Sequence, residues 1–446
     1  MRILAIDIGT SSVKSAILQA GNLTPVSTIV SIGYNLDRPD AETATVPAER
    51  LWATVGEAVR AVVSEEAGRL EGIGFSCMTP AMLLLDGHGE PLTPVWTHFD
   101  RRSRPLARRL RSEPARFEAF LQHACNPPLP GGLSGLSAAK QLELTPEIRP
   151  KVRWLTHVNS WLTYRLTGEI ALDSAGACFT GLYTAREHRW SEEWCAELGV
   201  SSAWLPPVVS GDQTLGRLRN EVAQCWNIPA GLPVKIGTAD TSSAMLAAHM
   251  GTADLLHSVG TTQVLAAFAD PPVPHERRLC RPLGVGSRFI HVTHNPVGGD
   301  ALSWLFDLCY AGDRHPNSVA YQAARRDYFE QIVKKSALTH STSVRLDPPF
   351  LGGDRLEIDE RAAAFTGLRL HVRPIDLVAA VLNGMREGHS LAYGNLGVHR
   401  PWQRIILTGG GAEIVRLLKL PQYEGVPIEF LEDGSLRGVA RLFENG

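Results

Sequence analysis

Residues 7–14 read DIGTSSVK, set between MRILAI (1–6) and SAIL (15–18). Small and polar residues interrupt what is otherwise one apolar run, so the pattern predicts two short strands joined by a glycine-containing turn. An aspartate stands at the mouth of that turn. Half a chain later the arrangement returns. Laid over VGTTQVLAAF (259–268), the stretch IGTSSVKSAI (8–17) pairs Gly9 with Gly260, Thr10 with Thr261, Ser11 with Thr262, Val13 with Val264 and Ala16 with Ala267. Either turn alone is an ordinary hairpin signal. Together they predict a duplicated α/β core with one such turn in each half. Closely spaced backbone N–H groups and hydroxyls make such a turn a concave seat for phosphate oxygens. Two of them facing across a cleft would grip a polyphosphate from both sides.

A chain of 446 residues is too long for one ordinary core, so two large domains are expected. Its apolar share of 44% and charged share of 20% fit a globular protein. A formal charge of −2 argues against non-specific nucleic-acid binding, which needs a basic field to displace counterions. The one basic run, DRRSRPLARRLR, carries Arg101, Arg102, Arg104, Arg108, Arg109 and Arg111, and reads best as a solvated helix face. Seven cysteines without a CxxC pair point to a reduced compartment rather than a disulfide framework. His291 and His294 in HVTH read as strand and loop histidines, since two alone do not make a zinc site. The first apolar stretch ends at Asp7 and no window approaches a membrane span, so a cytoplasmic protein with no membrane partner is expected.

Periodicity predicts a helix in PAERLWATVGEAVRAVVSEEAGRL (47–70), with Leu51, Val55, Ala58 and Val62 on one face. Buried strands follow in GIGFSCM and AMLLLD, and a glycine closes a helix in NSWLTYRLTGE. LPVKIGTAD, from Leu232, is a strand entering a turn, and TSSAMLAAHM continues as a helix. A boundary near residue 233 divides the chain into 1–233 and 234–446. The last third again alternates helix and strand, an α/β pattern.

Three places carry chemistry. Asp7 offers a hard carboxylate oxygen beside the first turn, where Mg²⁺ would neutralise a polyphosphate; its structural alternative is an Asx bond across the turn. Lys14, one strand later, is either a phosphate contact or a surface lysine. Asp240 follows a strand and opens a helix, so it is either an N-cap or a base for a hydroxyl attacking a γ-phosphate. Gly409, Gly410 and Gly411 in RIILTGGGAEI let a flat ligand approach the backbone closely, or simply form a turn.

In order along nearly the whole chain, these motifs resemble the FGGY family of carbohydrate kinases, within the actin, Hsp70 and sugar-kinase superfamily. DIGTSSVK resembles the first phosphate motif, HSVGTTQ the second and LTGGGA the adenosine motif. GFSCMTPAMLLLDGHGEPLTPVWTHFDRRS (74–103) is similar to the family's substrate-side segment, and WLTYRLTGEIALDSAGACFTGLYTAREHRWSEE to the stretch that follows it. DPPFLGGDRLEIDERAAAFTGL (347–368) is similar to a late family motif. The resemblance implies an α/β protein of two ribonuclease-H-like, actin-like ATPase domains with a central cleft. It implies a sugar-binding first-phosphate domain and a nucleotide-binding domain, with ATP and Mg²⁺ as cofactors and a small sugar as partner. It gives Asp240 as catalytic base, with Asp7 and Asp240 beside Mg²⁺. It further gives Gly9, Thr10, Ser11, Ser12, Lys14, Gly260, Thr261, Thr262 and Gly299 on phosphates, and Gly409 to Ala412 at adenosine. Met78, Thr79, Trp96, Asp100 and Thr241 fall on sugar-side positions. The family often has Met-His where this chain has Met78-Thr79, and Asp-Asn where it has Asp240-Thr241. The region after Gly411 is also shorter. A ketose or polyol kinase is the leading expectation, with a non-catalytic sugar or nucleotide sensor as the alternative. A homodimer is left open.

Overall fold

The computed structural model describes residues 1–63, 67–316, 318–339, 341–347, 357–359, 363–398 and 400–444. The motif at 347–368 therefore lies mostly outside the described residues. The chain forms two compact units, one of Met1–Met250, Phe268–Ile290 and Asp433–Gly446, the other of Gly251–Ala267 and His291–Glu432. A single boundary near 233 does not describe this division. The strand that begins at Pro233 pairs inside the first sheet, and the last residues return to the first unit.

In the first unit, β1 (Arg2–Ile8) and β2 (Ser12–Gln19) form the expected hairpin, with Asp7 opposite Lys14. The helix α1 (Ala48–Val62) lays Leu51, Val55, Ala58 and Val62 on the sheet, as its periodicity predicts. Next come β3 (Gly72–Cys77), parallel to β1, and the basic helix α2 (Arg104–Ser112). The helix α3 (Val158–Thr167) ends on Gly168 at φ 87°, the left-handed cap a glycine supplies without strain. Then β4 (Pro233–Ala239) runs parallel to β3 and leads into α4 (Asp240–Ala247). The sheet order β4–β3–β1–β2 brings the C-terminal ends of three parallel strands to one edge. One sheet face carries Ile73 and Phe75 into the core formed with α1 and α3. On the other, a Cβ at Gly72 or Gly74 would collide with Phe443 or Val439, so these glycines admit the C-terminal helix, Gly434–Arg441.

The second unit repeats this plan. The hairpin of β5 (Asp254–Val259) and β6 (Gln263–Phe268) is flanked by β7 (Phe289–Asn295), and α5 (Gly299–Cys309) follows. After the long helix α6 (Pro374–Asn395) come β8 (Arg404–Thr408), α7 (Ala412–Leu417) and β9 (Ile428–Leu431). Since β8 is parallel to β5 and β9 to β8, β6–β5–β8–β9 reproduces the order β2–β1–β3–β4. The duplication read from two hairpins extends to four strands in each unit.

The basic run departs from a solvated face at its start. Arg101 is buried and donates to the Pro130 carbonyl at 2.7 Å, while Arg102 pairs with Asp100 at 2.6 Å and lies 3.6 Å over Trp96. Arg109 and Arg111 meet Glu197 and Glu276 near the surface, as such a face should. All seven cysteines are free thiols. His291 and His294 both sit on β7, and among the described residues no group of three or more His, Cys, Asp or Glu is placed to hold a metal. No described helix is long and apolar enough to cross a membrane.

Candidate active site

The first unit gathers three acids around the end of β3. Asp7 ends β1, Asp240 opens α4 and Asp173 caps the short helix Ser174–Cys178, and all three fields reach the buried Cys77 thiol and raise its pKa beyond the larger effect of burial. Asp7 is nearly buried. Its Oδ2 accepts the Ser435 hydroxyl at 2.6 Å, and its enclosed Oδ1 has no hydrogen-bond partner among the described residues. Burial lifts its pKa to about 6, with the Ser435 and Ser76 hydroxyls pulling it down and the Asp240 charge pushing it further up. No Asx bond across the turn forms. That turn is held instead by Gly9 N–H to the Ser12 carbonyl at 2.9 Å and by Tyr34, whose hydroxyl donates to the Gly9 carbonyl. Lys14 pairs with Asp433 at 2.6 Å, so it would contact a phosphate only by sharing that charge. Thr10, Ser11 and Ser12 lie at the surface of the turn, accessible in part or fully.

Asp240 is aimed by a kink. The register of β4 on β3 shifts between Lys235 and Thr238, and Gly237 sits in the shift at φ 76°. A Cβ there would lie 1.8 Å from the Phe75 carbonyl oxygen, so only glycine permits this bulge. Ala239, not Asp240, is the N-cap, and Asp240 is the first helical residue. The Asp240 Oδ1 accepts Thr241 N–H at 2.5 Å and the Thr241 hydroxyl at 3.1 Å, which fixes the carboxylate. Among the described residues its Oδ2 takes no hydrogen bond, and the residue keeps partial exposure. That half-committed state suits a base better than a cap.

Two further residues of this cluster were not singled out from sequence. Asp173, 2% exposed, accepts Thr238 Oγ1 at 3.0 Å and Asn159 Nδ2 at 3.2 Å, with its pKa raised by burial. The LDSA stretch inside the family-like segment was its only signal. Arg281, equally buried, donates from Nη1 to Ser242 Oγ at 2.6 Å and to the Pro282 carbonyl at 3.1 Å. Its enclosed Nε has no acceptor among the described residues, and its positive charge answers Asp240 and Asp173 without a hydrogen bond. Nothing in RLCRPLG announced it.

The sugar-side positions divide. Thr79 keeps partial exposure, with its hydroxyl donating to the Cys77 carbonyl at 3.1 Å. Met78, Trp96 and Asp100 are interior. Trp96 Nε1 donates to Gln141 at 2.7 Å, and Asp100 holds Ala44 N–H at 3.0 Å along with Arg102. In this conformation the last two brace the segment rather than line a surface.

In the second unit the turn Gly260–Thr262 is closed by Gly260 N–H to the Thr262 carbonyl, and the Thr262 hydroxyl meets His294 Nε2 at 2.8 Å. Gly299 N–H donates to the Gly260 carbonyl and Asp300 N–H to that of Thr261. A Cβ on Gly298 or Gly299 would strike those same carbonyls, so the glycine pair lets α5 dock on the turn and the Gly299 N–H is already spent. Behind the turn runs a buried chain. Gln263 donates to the Val297 carbonyl at 2.6 Å, which points its Oε1 at His257 Nε2, 2.8 Å away. His257 Nδ1 then accepts from Tyr423 at 2.7 Å, and Tyr423 from His389 at 2.9 Å. Burial holds both imidazoles neutral, His257 well below its ordinary pKa and His389 at about 4. In the GGG turn the roles differ by residue. Gly409, at φ 91°, and Gly411 both press against Val259, whereas Gly410 has open space where a Cβ would be. Only Gly410 leaves backbone bare for a ligand; Ala412, which starts α7, is buried.

Comparison with known proteins agrees with this arrangement. Residues 2–247 match the profile of the N-terminal domain of the FGGY family of carbohydrate kinases, more than half of the chain. A xylulose kinase of Klebsiella pneumoniae is 25% identical over 98% of this chain and 89% of its own length. A xylulose kinase of Escherichia coli is 24% identical over 92% of this chain and 82% of its own. Among solved structures, a xylulose kinase from Rhodospirillum rubrum superposes with a TM-score of 0.80 at 23% identity, covering 99% of this chain and 89% of that one. A Plasmodium falciparum glycerol kinase with ADP gives 0.78 at 16% identity, covering 99% and 88%. These structures establish the actin-like ATPase fold, and the profile match with the acid cluster and duplicated turns establishes the rest: this chain belongs to the FGGY family of carbohydrate kinases.

Proposed function

We propose that the protein transfers the γ-phosphoryl group of ATP to a hydroxyl of a small neutral carbohydrate, a ketose such as a pentulose or heptulose, or a polyol, with Asp240 as general base. The carrying observation is the Asp240 carboxylate, one oxygen pinned by Thr241 and the other open, at the edge to which the Gly237 bulge turns it. A carboxylate so held accepts the proton of an incoming hydroxyl as the oxygen attacks phosphorus, and it needs no reorganisation to do so. Thr241 orients the base and, with Thr79, offers hydroxyls for sugar recognition. The turns at 9–12 and 260–262 supply N–H groups and hydroxyls to the phosphates, and Gly410 a bare backbone to the adenosine side. The relatives' names favour a keto-sugar acceptor, and the short Thr79 leaves room that a histidine would fill.

Asp7 and Asp240 suit a divalent cation. The orphan Oδ1 of Asp7 is enclosed, its carboxyl is costly to ionise, and a second carboxylate raises that cost. Asp7 and Asp240 would hold Mg²⁺, which when bound would neutralise phosphate charge. The residues themselves do the rest: Asp240 takes the proton, Ser435 keeps Asp7 oriented, and Arg281 lends positive potential.

The test is ADP release from Mg-ATP across ketoses, polyols and sugar acids, beside Asp240→Ala. Sugar-dependent release that the substitution abolishes supports the assignment. ATP binding with no sugar-dependent release from any acceptor would leave a sugar or nucleotide sensor as the better reading.

A further inference from the structure

The turn at 9–12 sorts its backbone polarity. Three of its carbonyls are taken within the first unit: that of Ser12 by Gly9 N–H at 2.9 Å, that of Ser11 by Tyr34 N–H at 2.9 Å, and that of Gly9 by the Tyr34 hydroxyl. The Thr10 and Ser11 N–H groups, by contrast, donate to no partner among the described residues, and both residues keep exposure. Bare donors with their neighbouring acceptors withdrawn suit an anion, since a carbonyl turned outward repels phosphate oxygens. Tyr34 does most of this sorting. It follows the strand Val30–Gly33, whose Gly33 pairs with Ser12, so the strand delivers it beside the turn. Its side chain belongs to the core of the first unit at 8% exposure, which fixes where the hydroxyl points. Burial pushes the phenol's pKa up, so the oxygen keeps its proton and stays a donor. The second unit reaches the same result by other means. There the Thr262 carbonyl takes Gly260 N–H at 2.9 Å, and those of Gly260 and Thr261 take the first N–H groups of α5, from Gly299 at 2.9 Å and Asp300 at 3.2 Å. The Thr261 and Thr262 N–H groups again have no acceptor among the described residues. Closing a hairpin does not require this, because the bond from each leading glycine closes its turn already. Two unlike devices, a tyrosine and a helix start, each withdraw the carbonyl of the leading glycine and one more.

We propose that Tyr34 is a positioning residue for nucleotide phosphate: it holds the Gly9 and Ser11 carbonyls back so that the Thr10 and Ser11 N–H groups are left to the anion. The identity of the anion rests on the kinase reading above; the sorting of the turn does not. Tyr34 itself need not touch the nucleotide. Without its hydroxyl, the Gly9 carbonyl stands in a partly buried place with no donor, and an unmade hydrogen bond there is costly. Its cheapest remedy is to rotate toward water, which is where a phosphate oxygen would sit. The effect therefore falls on phosphate and spares the rest of the nucleotide and the sugar.

The experiment titrates the full chain and Tyr34→Phe calorimetrically with Mg-ATP, inorganic tripolyphosphate and adenosine, well below the melting temperature of either protein. The substitution keeps the ring and the Tyr34 N–H and removes one donor. Expected is a dissociation constant about fivefold or more higher for Mg-ATP and for tripolyphosphate, with adenosine binding unchanged. In steady state the KM for ATP rises by a similar factor while the KM for the sugar holds. A role confined to stability lowers the melting temperature and leaves all three affinities as they were, and that result overturns the proposal. Equal weakening of adenosine overturns it as well. Wild-type protein that binds neither Mg-ATP nor tripolyphosphate removes the phosphate seat and the proposal with it. The expected binding changes in a protein without sugar-dependent ADP release would support the role of Tyr34 and tell against the kinase reading alone.

Discussion

The two hairpins share a fold but not a charge. In the first, Asp7 and Lys14 face each other across the strands; in the second, Ser258 takes the place of Asp7 and faces Val264. The acids Asp7, Asp173 and Asp240 all belong to the first unit, while the second sets the Thr262 hydroxyl, the His294 imidazole and the Gln263 amide about its turn. The glycines divide the same way. Gly237 makes a bulge that aims a carboxylate, whereas Gly298, Gly299, Gly409 and Gly411 bring backbone against backbone. On the proposed function, one copy of the motif is the place where protons and cations would be handled. The other provides shape and hydrogen bonds.

That contrast can be broken most severely at Asp240. Asp240→Asn keeps the hydrogen bonds to Thr241 but cannot accept a proton, so kcat should fall by about 10³-fold or more in steady-state assays. Asp7→Ser gives the first hairpin the serine of the second. Its kcat should fall about 100-fold with weakened Mg²⁺ dependence, and a variant titrating Mg²⁺ like the wild type would remove Asp7 from the metal's side. Among the second unit's glycines, Gly409→Ala forces a left-handed alanine against Val259 and should destabilise by about 2 kcal/mol or more in thermal unfolding. Gly410→Ala should leave the melting temperature nearly unchanged and raise only the KM for nucleotide. The smallest effect is electrostatic. Unfolded histidines bind protons below about pH 6.5, while folded His389 stays neutral down to about 4. Stability from this chain is full above that range and falls as the pH drops through it, by at most about 1.4 kcal/mol per pH unit per histidine. His389→Gln should flatten that part of the melting-temperature curve, and an unchanged slope would take His389 out of the account.

The hairpins, their duplication and the strand into Asp240 were legible because each is local: apolar runs, small turn residues, a glycine at the kink. The same holds for α1 and for the helix closed by Gly168. What sequence could not show were partnerships between remote segments. Lys14 looked available until Asp433, 419 positions away, was found against it, and Ser435 reaches Asp7 across 428 positions. Trp96 and Asp100 read as pocket residues because the family pattern names positions, not the neighbours that engage them. Gly299 read as a phosphate contact for a related reason, since a glycine demanded by a carbonyl looks the same in sequence as one demanded by a phosphate. A single boundary near 233 assumes one crossing, and the chain crosses between its two units several times.

The return of the C-terminal helix has a consequence for biosynthesis. Residues that cover Gly72 and Gly74, that bond Lys235 through the Leu442 carbonyl at 2.7 Å, and that orient Asp7 leave the ribosome long after the strands they complete. The first unit's sheet emerges early yet carries an uncovered face and a buried lysine without its acceptor until the segment from residue 434 follows. Its packing therefore waits for that segment, and nascent chains stalled before residue 434 would be natural clients of a holdase chaperone.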